Sequence, residues 1–162
     1  VIGGTQEKGR RGGTENVPGI VGTGKAAEFA AEHLAEAAQI AAMRDRLEQG
    51  ILQRIEHTHV NGDTTARVPN TTNIGFAQLE AEAILLLLSE KGVCASAGAA
   101  CARGSLEPSP ILLAMGIDPK IAHGAVRFSL SRYTTHAEID QALEILPGVI
   151  SRLRGVLPVA QT

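Results

Sequence analysis

The chain contains 162 residues, 44% of them hydrophobic and 20% charged, a composition typical of one globular domain with its own core. Its 15 lysines and arginines and 17 acidic residues leave a net charge of −2, which argues against nucleic acid or a membrane surface as the main partner. Aromatic residues make up 2% of the chain, too few for a surface that stacks bases.

Hydrophobic periodicity and helix-capping residues predict the elements in chain order. A glycine-rich, charged loop over residues 1–24 overlaps the start of a long alanine-rich helix, which we predict from about Pro18 to Glu56, with Gly50 as a weak point. The alternation of helices and strands indicates an α/β domain in which helices cover a small sheet. The remaining predictions are a turn with one short strand over 57–63, a strand over 71–76, a helix over 80–91 ended by Gly92, a β-prone run over 93–96, a helix from 105 to about 115, a strand over 125–130, and a helix from the capping box at 134–138 to about 153, kinked at Pro147.

Cysteine use and the first residue bear on location and processing. The chain contains two cysteines, Cys94 and Cys101, and no apolar run long enough to cross a membrane, so we expect reduced thiols and a cytoplasmic protein. It begins with Val1 rather than methionine. We therefore expect the chain to be processed or to be a piece of a longer protein.

Two patterns that could bind phosphate or metal are weak. The stretch from Gly19 to Ala26 resembles a phosphate-binding loop, but Ala26 stands where that loop needs Ser or Thr for magnesium. We interpret this stretch as the start of a helix. His57 and His59 would share one face of a strand, but a third ligand is missing from their neighbourhood in the sequence, so we predict solvated turn residues rather than a metal site.

Cys101 lies in a segment of small residues, Ser96–Ser105, which has no bulky side chain to anchor it, and we expect this segment to move. Arg103 and the helix predicted just beyond it favour the thiolate form of Cys101. A mobile thiolate is suited to carrying a group between sites, although a small buried cysteine is an equally good interpretation from the residues alone. Cys94 lies in the β-prone run, and we predict a buried structural role for it.

Two cationic positions could bind anions. Arg127 interrupts an apolar strand, so it must meet a carboxylate or a phosphate, or lie on the exposed face of an edge strand, and composition slightly favours the edge. The stretch Arg10–Thr14 offers backbone amides, two guanidinium groups and a hydroxyl. Anion binding and a flexible basic loop are equally good interpretations of it.

Four stretches, taken together and in this order, resemble the NifS/IscS-type cysteine desulfurases, which are pyridoxal-phosphate-dependent enzymes of the class-V aminotransferase family. The first is closer to the nitrogen-fixation branch than to the housekeeping branch. The resemblance implies the C-terminal part of a fold-type-I enzyme. Residues 1–20 would end the large cofactor-binding domain, and residues 21–162 would form a linking helix and a small domain with a short, mainly antiparallel sheet flanked by helices. The stretches are residues 4–17 (GTQEKGRRGGTENV), 96–101 (SAGAAC), 104–116 (GSLEPS followed by AMG) and 126–135 (VRFSLSRYTT).

The resemblance also implies roles for individual residues. Cys101 matches the catalytic cysteine, which attacks the sulfur of L-cysteine, leaves L-alanine and holds the sulfur as a persulfide. Cys101 also matches the residue that contacts an iron–sulfur scaffold protein, the sulfur acceptor in cluster assembly for general use or for nitrogenase, and it is the one position with a possible metal contact. Arg127 matches the arginine that pairs with the substrate α-carboxylate. Thr14 matches the threonine that reaches the pyridoxal phosphate of the neighbouring subunit, which implies a homodimer.

Departures from the family pattern define what this chain lacks. Ala97 and Ala99 replace two serines of the cysteine loop, and Ser131 stands where glycine is usual. The context Ser-x-His-Lys, which carries the aldimine lysine, is absent from the sequence, and so are the family's ring-stacking histidine and its aspartate for the pyridine nitrogen. We therefore predict a fragment that is inactive by itself. The lysines of the chain are Lys8, Lys25, Lys91 and Lys120.

Two alternatives belong to other classes of protein. The first is a stand-alone sulfur carrier or interaction module in which Cys101 accepts a persulfide from a partner. The second is another fold-type-I enzyme, such as a selenocysteine lyase. The cysteine loop with Leu-Glu-Pro-Ser after it argues against this second alternative, and the start at Val1 argues against the first.

Overall fold

A computed structural model describes residues 2–97 and 108–156 of the chain. The chain divides into two compact units, Val1–Glu36 and Ala37–Thr162, which we call the N-terminal and the C-terminal unit. The boundary expected after residue 20 concerns the domains of a larger enzyme, and it stays a prediction.

The N-terminal unit contains one long helix, α1 (Val17–Glu32), between two short 3-10 turns. Asn16 caps this helix, because its side-chain oxygen accepts a hydrogen bond from the amide of Gly19 at 3.1 Å, and Pro18 lies in the first turn. The glycine-rich loop is therefore shorter than predicted and ends at Asn16. The stretch that resembles a phosphate-binding loop lies inside α1, which confirms its interpretation as a helix start.

The prediction of one uninterrupted helix to Glu56 is wrong. Helix α1 ends at His33, whose amide donates back to the carbonyls of Phe29 and Ala30, and the Nδ1 of His33 lies 2.8 Å from the Oε1 of Glu36. The second helix, α2 (Ala37–Arg54), begins after a 3-10 turn. The alanine-rich sequence contains no glycine or proline at this point, so local propensity gives no sign of the break.

The described part of the C-terminal unit is a three-stranded antiparallel sheet flanked by helices, which agrees with the predicted small sheet covered by helices. The strands lie in the order β1-β2-β3, with Thr58 opposite Phe76 and Asn73 opposite Arg127. Helix α5 is not foreseen from the sequence, and α4 begins later than predicted, with Ser109 at its N-cap. The elements are α2, β1 (Thr58–Val60), β2 (Thr71–Phe76), α3 (Ala81–Glu90), α4 (Pro110–Ala114), α5 (Pro119–Ala122), β3 (Ala125–Ser129) and α6 (His136–Val156).

Several predicted elements are confirmed in detail. Strand β2 has the predicted bounds, and Gly92 follows α3 with a φ of +79°, a backbone conformation that glycine adopts at little cost. The capping box at the start of α6 is present: the amide of Thr135 donates to Glu138 at 2.7 Å, and the amide of Glu138 donates to Thr135 at 3.3 Å. Helix α6 continues through Pro147.

The two faces of the sheet have different surroundings. Alternate residues of β2 and β3 point into the main core, formed with α2, α3 and α6, and Ile74 and Val126 are both 0% exposed there. The opposite face meets α5 and a small cluster that includes Leu112 and Ala125. Gly50, expected to weaken α2, instead permits its close approach to α6, since a Cβ there would lie 2.6 Å from a methyl group of Leu143.

Candidate active site

The candidate functional side chain of the sheet, that of Arg127, lies on its second face, away from the main core. Arg127 is the middle residue of β3, between the buried Val126 and Phe128, so its side chain points to this second face. The Nε of Arg127 is buried and has no hydrogen-bond partner among the described residues. A buried guanidinium nitrogen without an acceptor is able to donate a hydrogen bond to an anion.

The outer edge of β3 is not free, which corrects the expectation of an edge arginine. The amide of Arg127 donates to the carbonyl of Ser96 at 2.6 Å, and the amide of Ser96 donates to the carbonyl of Arg127 at 3.1 Å. The β-prone run before the cysteine segment therefore forms a bridge to β3 rather than a strand of its own. This bridge ties the chain that leads to Cys101 directly to Arg127.

The cysteine segment itself is only partly described. Cys101 and Arg103 lie outside the described residues, and so does Ser105, so the thiolate and the mobility expected there stay predictions. Cys94 is described, and the prediction that it is buried is wrong, because its side chain is exposed. Val93 and Ala95 pack against the core, and the alternation of an extended chain turns Cys94 outward.

The glycine-rich stretch of the N-terminal unit forms an ordered turn. Glu7 and Lys8 adopt φ values of +48° and +55°, and Arg11 pairs with Glu15 and donates to the carbonyl of Gly13 at 2.9 Å. The guanidinium of Arg11 is therefore already compensated by a carboxylate. The Thr14 side chain is exposed and has no hydrogen-bond partner within the described part of the chain.

A buried ion-pair network lies at the junction of α2 and β2, and sequence reasoning missed it. Glu48 accepts two hydrogen bonds from Arg67, at 2.6 and 2.9 Å, and a third from the hydroxyl of Thr72 at 2.5 Å. Arg44 donates to the carbonyl of Val68 at 2.7 Å. The network fastens the loop between β1 and β2, and the one signal in the sequence was a carboxylate on the apolar stripe of α2.

Two asparagines in line with Arg127 across the sheet were also missed. Asn73 lies directly opposite Arg127, and Asn61 follows β1. The sequence signal for Asn73 is a polar residue between apolar neighbours of a strand, which by itself is typical of any sheet face that meets solvent.

Metal-ligand clusters and membrane-spanning helices are two further features that residues 2–97 and 108–156 could contain. Within these ranges, no three His, Cys, Asp or Glu side chains come together as ligands for a metal ion. His59 lies on β1 with an exposed side chain. None of the helices described there is both long and apolar enough to cross a membrane.

Comparison with known proteins places the chain in a family. The class-V aminotransferase family matches residues 4–142. The chain belongs to this family. It is 57% identical over 158 residues to cysteine desulfurase 2 of Trichormus variabilis, and the matched region covers 98% of this chain and 40% of that protein. It is 52% identical over 157 residues to cysteine desulfurase NifS of Azotobacter vinelandii, with 96% and 39% covered. The resemblance to NifS-type cysteine desulfurases is confirmed.

Solved structures of NifS-like proteins share the fold of this class-V aminotransferase chain. One NifS-like protein matches with a TM-score of 0.79 and 36% identity, over 94% of this chain and 39% of that one. A NifS-like protein from Rickettsia africae matches with a TM-score of 0.78 and 30% identity, over 93% and 39%. The chain thus spans about 40% of the length of the relatives that it matches.

Cysteine desulfurases depend on pyridoxal phosphate, and the residues of this chain fit one contact to that cofactor. The exposed, unpaired hydroxyl of Thr14 is suited to a phosphate oxygen. Covalent attachment of pyridoxal phosphate needs a lysine held in the site, and the four lysines of this chain do not fit that role, since all of them are exposed. Lys25, for example, pairs with Glu28 at 2.8 Å on the surface of α1.

Proposed function

We propose that this chain supplies the sulfur-accepting and substrate-binding residues of a cysteine desulfurase, which converts L-cysteine to L-alanine and passes the sulfur to iron–sulfur cluster assembly. The observation that carries the proposal is the buried, unpaired Nε of Arg127, on a strand tied by Ser96 to the segment of Cys101. Ser96, which precedes Cys101 by five positions in the sequence, is thereby held beside the candidate anion-binding group.

Arg127 binds and orients the substrate in this proposal. A guanidinium offers several N–H donors in a fixed plane, which match the two oxygens of an α-carboxylate. Its partial burial strengthens the pairing, because the surrounding protein has a lower dielectric constant than water. None of the described acidic side chains forms an ion pair with Arg127, and its Nε has no partner among them. In this proposal the guanidinium is therefore available to the substrate.

Cys101 receives the sulfur. The thiolate forms an S–S bond to the sulfur of L-cysteine while the C–S bond of the substrate breaks, and the carbon takes up a proton to give L-alanine. Pyridoxal phosphate, when bound, supplies the electron sink that makes the C–S bond labile. Thr14 would hold its phosphate from the neighbouring subunit, so the working enzyme is proposed to be a homodimer.

The persulfide on Cys101 is then proposed to pass to an iron–sulfur scaffold protein, with a possible metal contact shared between the two proteins. The similarity of the first stretch to the nitrogen-fixation branch supports nitrogenase cluster assembly as one destination. L-cysteine is the proposed substrate.

The test compares the two cysteines in the complete enzyme that contains this chain. Cys101→Ser should abolish the persulfide and the release of alanine while the bound cofactor keeps its visible absorption. Cys94→Ser is the matched control, because Cys94 is an exposed thiol only seven positions away, and it should keep full activity. The measurement is intact mass after reaction with L-cysteine, which reports one added sulfur atom. Sulfur on the Cys101→Ser variant would overturn the proposal.

A further inference from the structure

Three polar side chains form a row across the second face of the sheet. Asn61 continues the register of β1. Its backbone N–H donates to the backbone carbonyl of Asn73 at 2.9 Å. Asn73 is in turn the cross-strand partner of Arg127. Residues directly opposite in an antiparallel pair have Cβ atoms about 5 Å apart on the same face, so the side chains of Asn73 and Arg127 are neighbours.

The hydrogen bonds of this row are incomplete. The Nδ2 of Asn61 donates to the Oδ1 of Asn73 at 2.7 Å, which fixes the orientation of the Asn73 amide. The Oδ1 of Asn61, a residue only 9% exposed, is buried without a partner, and so is the Nε of Arg127. Unpaired buried polar atoms are rare in folded proteins, and here an acceptor and a donor of one row both lack a partner. A row of this kind is expected where a ligand completes the bonding.

We propose that Asn73 is a positioning residue for Arg127, with Asn61 holding its amide in place. Asn73 lies beside the guanidinium of Arg127 without accepting a hydrogen bond from its Nε, so it limits the positions of the side chain and leaves the Nε–H to the substrate carboxylate. This inference rests on the proposed role of Arg127.

The neutral amide is the important property of Asn73. It orients the guanidinium without cancelling its charge, whereas a carboxylate at the same place would form an ion pair with Arg127 and compete with the substrate. The structure therefore predicts that an isosteric change at Asn73, which preserves its shape and adds only a negative charge, impairs substrate binding.

The experiment uses the complete enzyme and the variant Asn73→Asp. The KM for L-cysteine should rise about tenfold or more, kcat should stay within about threefold, and the affinity for the product L-alanine, measured by calorimetry, should fall by a similar factor. Thr71→Asp is the matched control, because Thr71 lies on the same strand and face but opposite Ser129. It should change KM by no more than about twofold, since the added charge lies two residue pairs further along the ladder from Arg127.

The outcomes separate this inference from the proposed function. If Arg127→Ala raises KM but Asn73→Asp does not, the positioning role is wrong and the role of Arg127 stands. If Arg127→Ala leaves KM unchanged, both fail. An equal effect of Thr71→Asp would show a general charge effect and would also overturn the inference. Should Asn73→Asp not fold, Asn73→Ala replaces it, with a rise in KM again expected and an unchanged KM again contradicting it.

Discussion

Glu48 illustrates how a single buried charge holds this chain together. Glu48 is only 2% exposed, and its carboxylate accepts hydrogen bonds from Arg67 and Thr72. Burial acts to raise the pKa of Glu48, but the hydrogen bonds of Arg67 and Thr72 and the charges of Arg67 and Arg44 outweigh it, so the pKa lies below its ordinary value of 4.5. The charged form is therefore the stable one in the folded chain.

Replacing this carboxylate should destabilise the chain strongly. Glu48→Gln removes the buried counter-charge of Arg67 and leaves it only the half-exposed Asp45, so we expect a loss of about 3–5 kcal/mol in the free energy of unfolding, measured in urea. Asp45→Asn is the control: Asp45 also contacts Arg67, at 3.2 Å, but it is half exposed, so the expected loss is below about 1 kcal/mol. Equal losses in the two variants would contradict the argument.

The same network predicts a pH dependence. A depressed folded-state pKa means that the contribution of Glu48 is complete above its ordinary pKa of 4.5 and is lost as the pH falls below that value. The unfolding free energy of the native chain should therefore fall on acidification, and that of Glu48→Gln should fall less over the same range. Parallel curves would refute the assignment to Glu48.

At the scale of elements, close backbone contacts set the geometry of the second face of the sheet. The amide of Phe76, at the end of β2, donates to the carbonyl of Gly124 at 3.0 Å. A Cβ at position 124 would lie 2.0 Å from the carbonyl oxygen of Phe76, so only glycine fits between α5 and β3. This contact places β3, and with it Arg127, beside β2.

A pair of glycine substitutions tests this contact. Gly124→Ala should lower the unfolding free energy by at least about 1–3 kcal/mol, because backbone atoms have to move to admit the methyl group. Gly148→Ala, in α6, meets no described atom within 4 Å and should raise the unfolding free energy by about 0.5–1 kcal/mol, through the higher helix propensity of alanine. Thermal or urea unfolding of the 162-residue chain measures both, and a stable Gly124→Ala variant would be inconsistent with the contact.

At the scale of the molecule, the chain carries part of the residue set proposed here for a complete cysteine desulfurase. It spans about 40% of the length of its relatives and holds Cys101, Arg127 and Thr14. Its lysines are all exposed and lack the family's sequence context for binding the cofactor. The chemistry proposed for Cys101 therefore requires a cofactor that we do not expect this stretch alone to hold covalently.

The 162-residue polypeptide by itself should be colourless and inactive. Mixed with pyridoxal phosphate and L-cysteine, it should release no more alanine than a Cys101→Ser chain in parallel, because the electron sink is not held beside the thiol. Visible absorption and an assay for alanine measure the two properties. Catalytic release of alanine by the native chain would show that the cofactor is bound in another way.

Local chemistry allowed much of the fold to be predicted from the sequence alone. Strand β2, helix α3 with Gly92 after it, and the capping box of Thr135 and Glu138 were all predicted, because alternation and caps involve residues within a few positions of one another. Family membership was likewise predicted from four short stretches, since motifs of this length are specific when they occur together in order.

Only the tertiary structure decided which distant groups meet. The break at His33, the exposure of Cys94, the pairing of Glu48 with Arg67 across 19 positions, and the row of asparagines beside Arg127 all depend on how elements pack. From the sequence alone, a polar residue that faces water cannot be distinguished from one that faces a buried partner. The difference is the free energy of burial, which is set by neighbours that are remote in the chain.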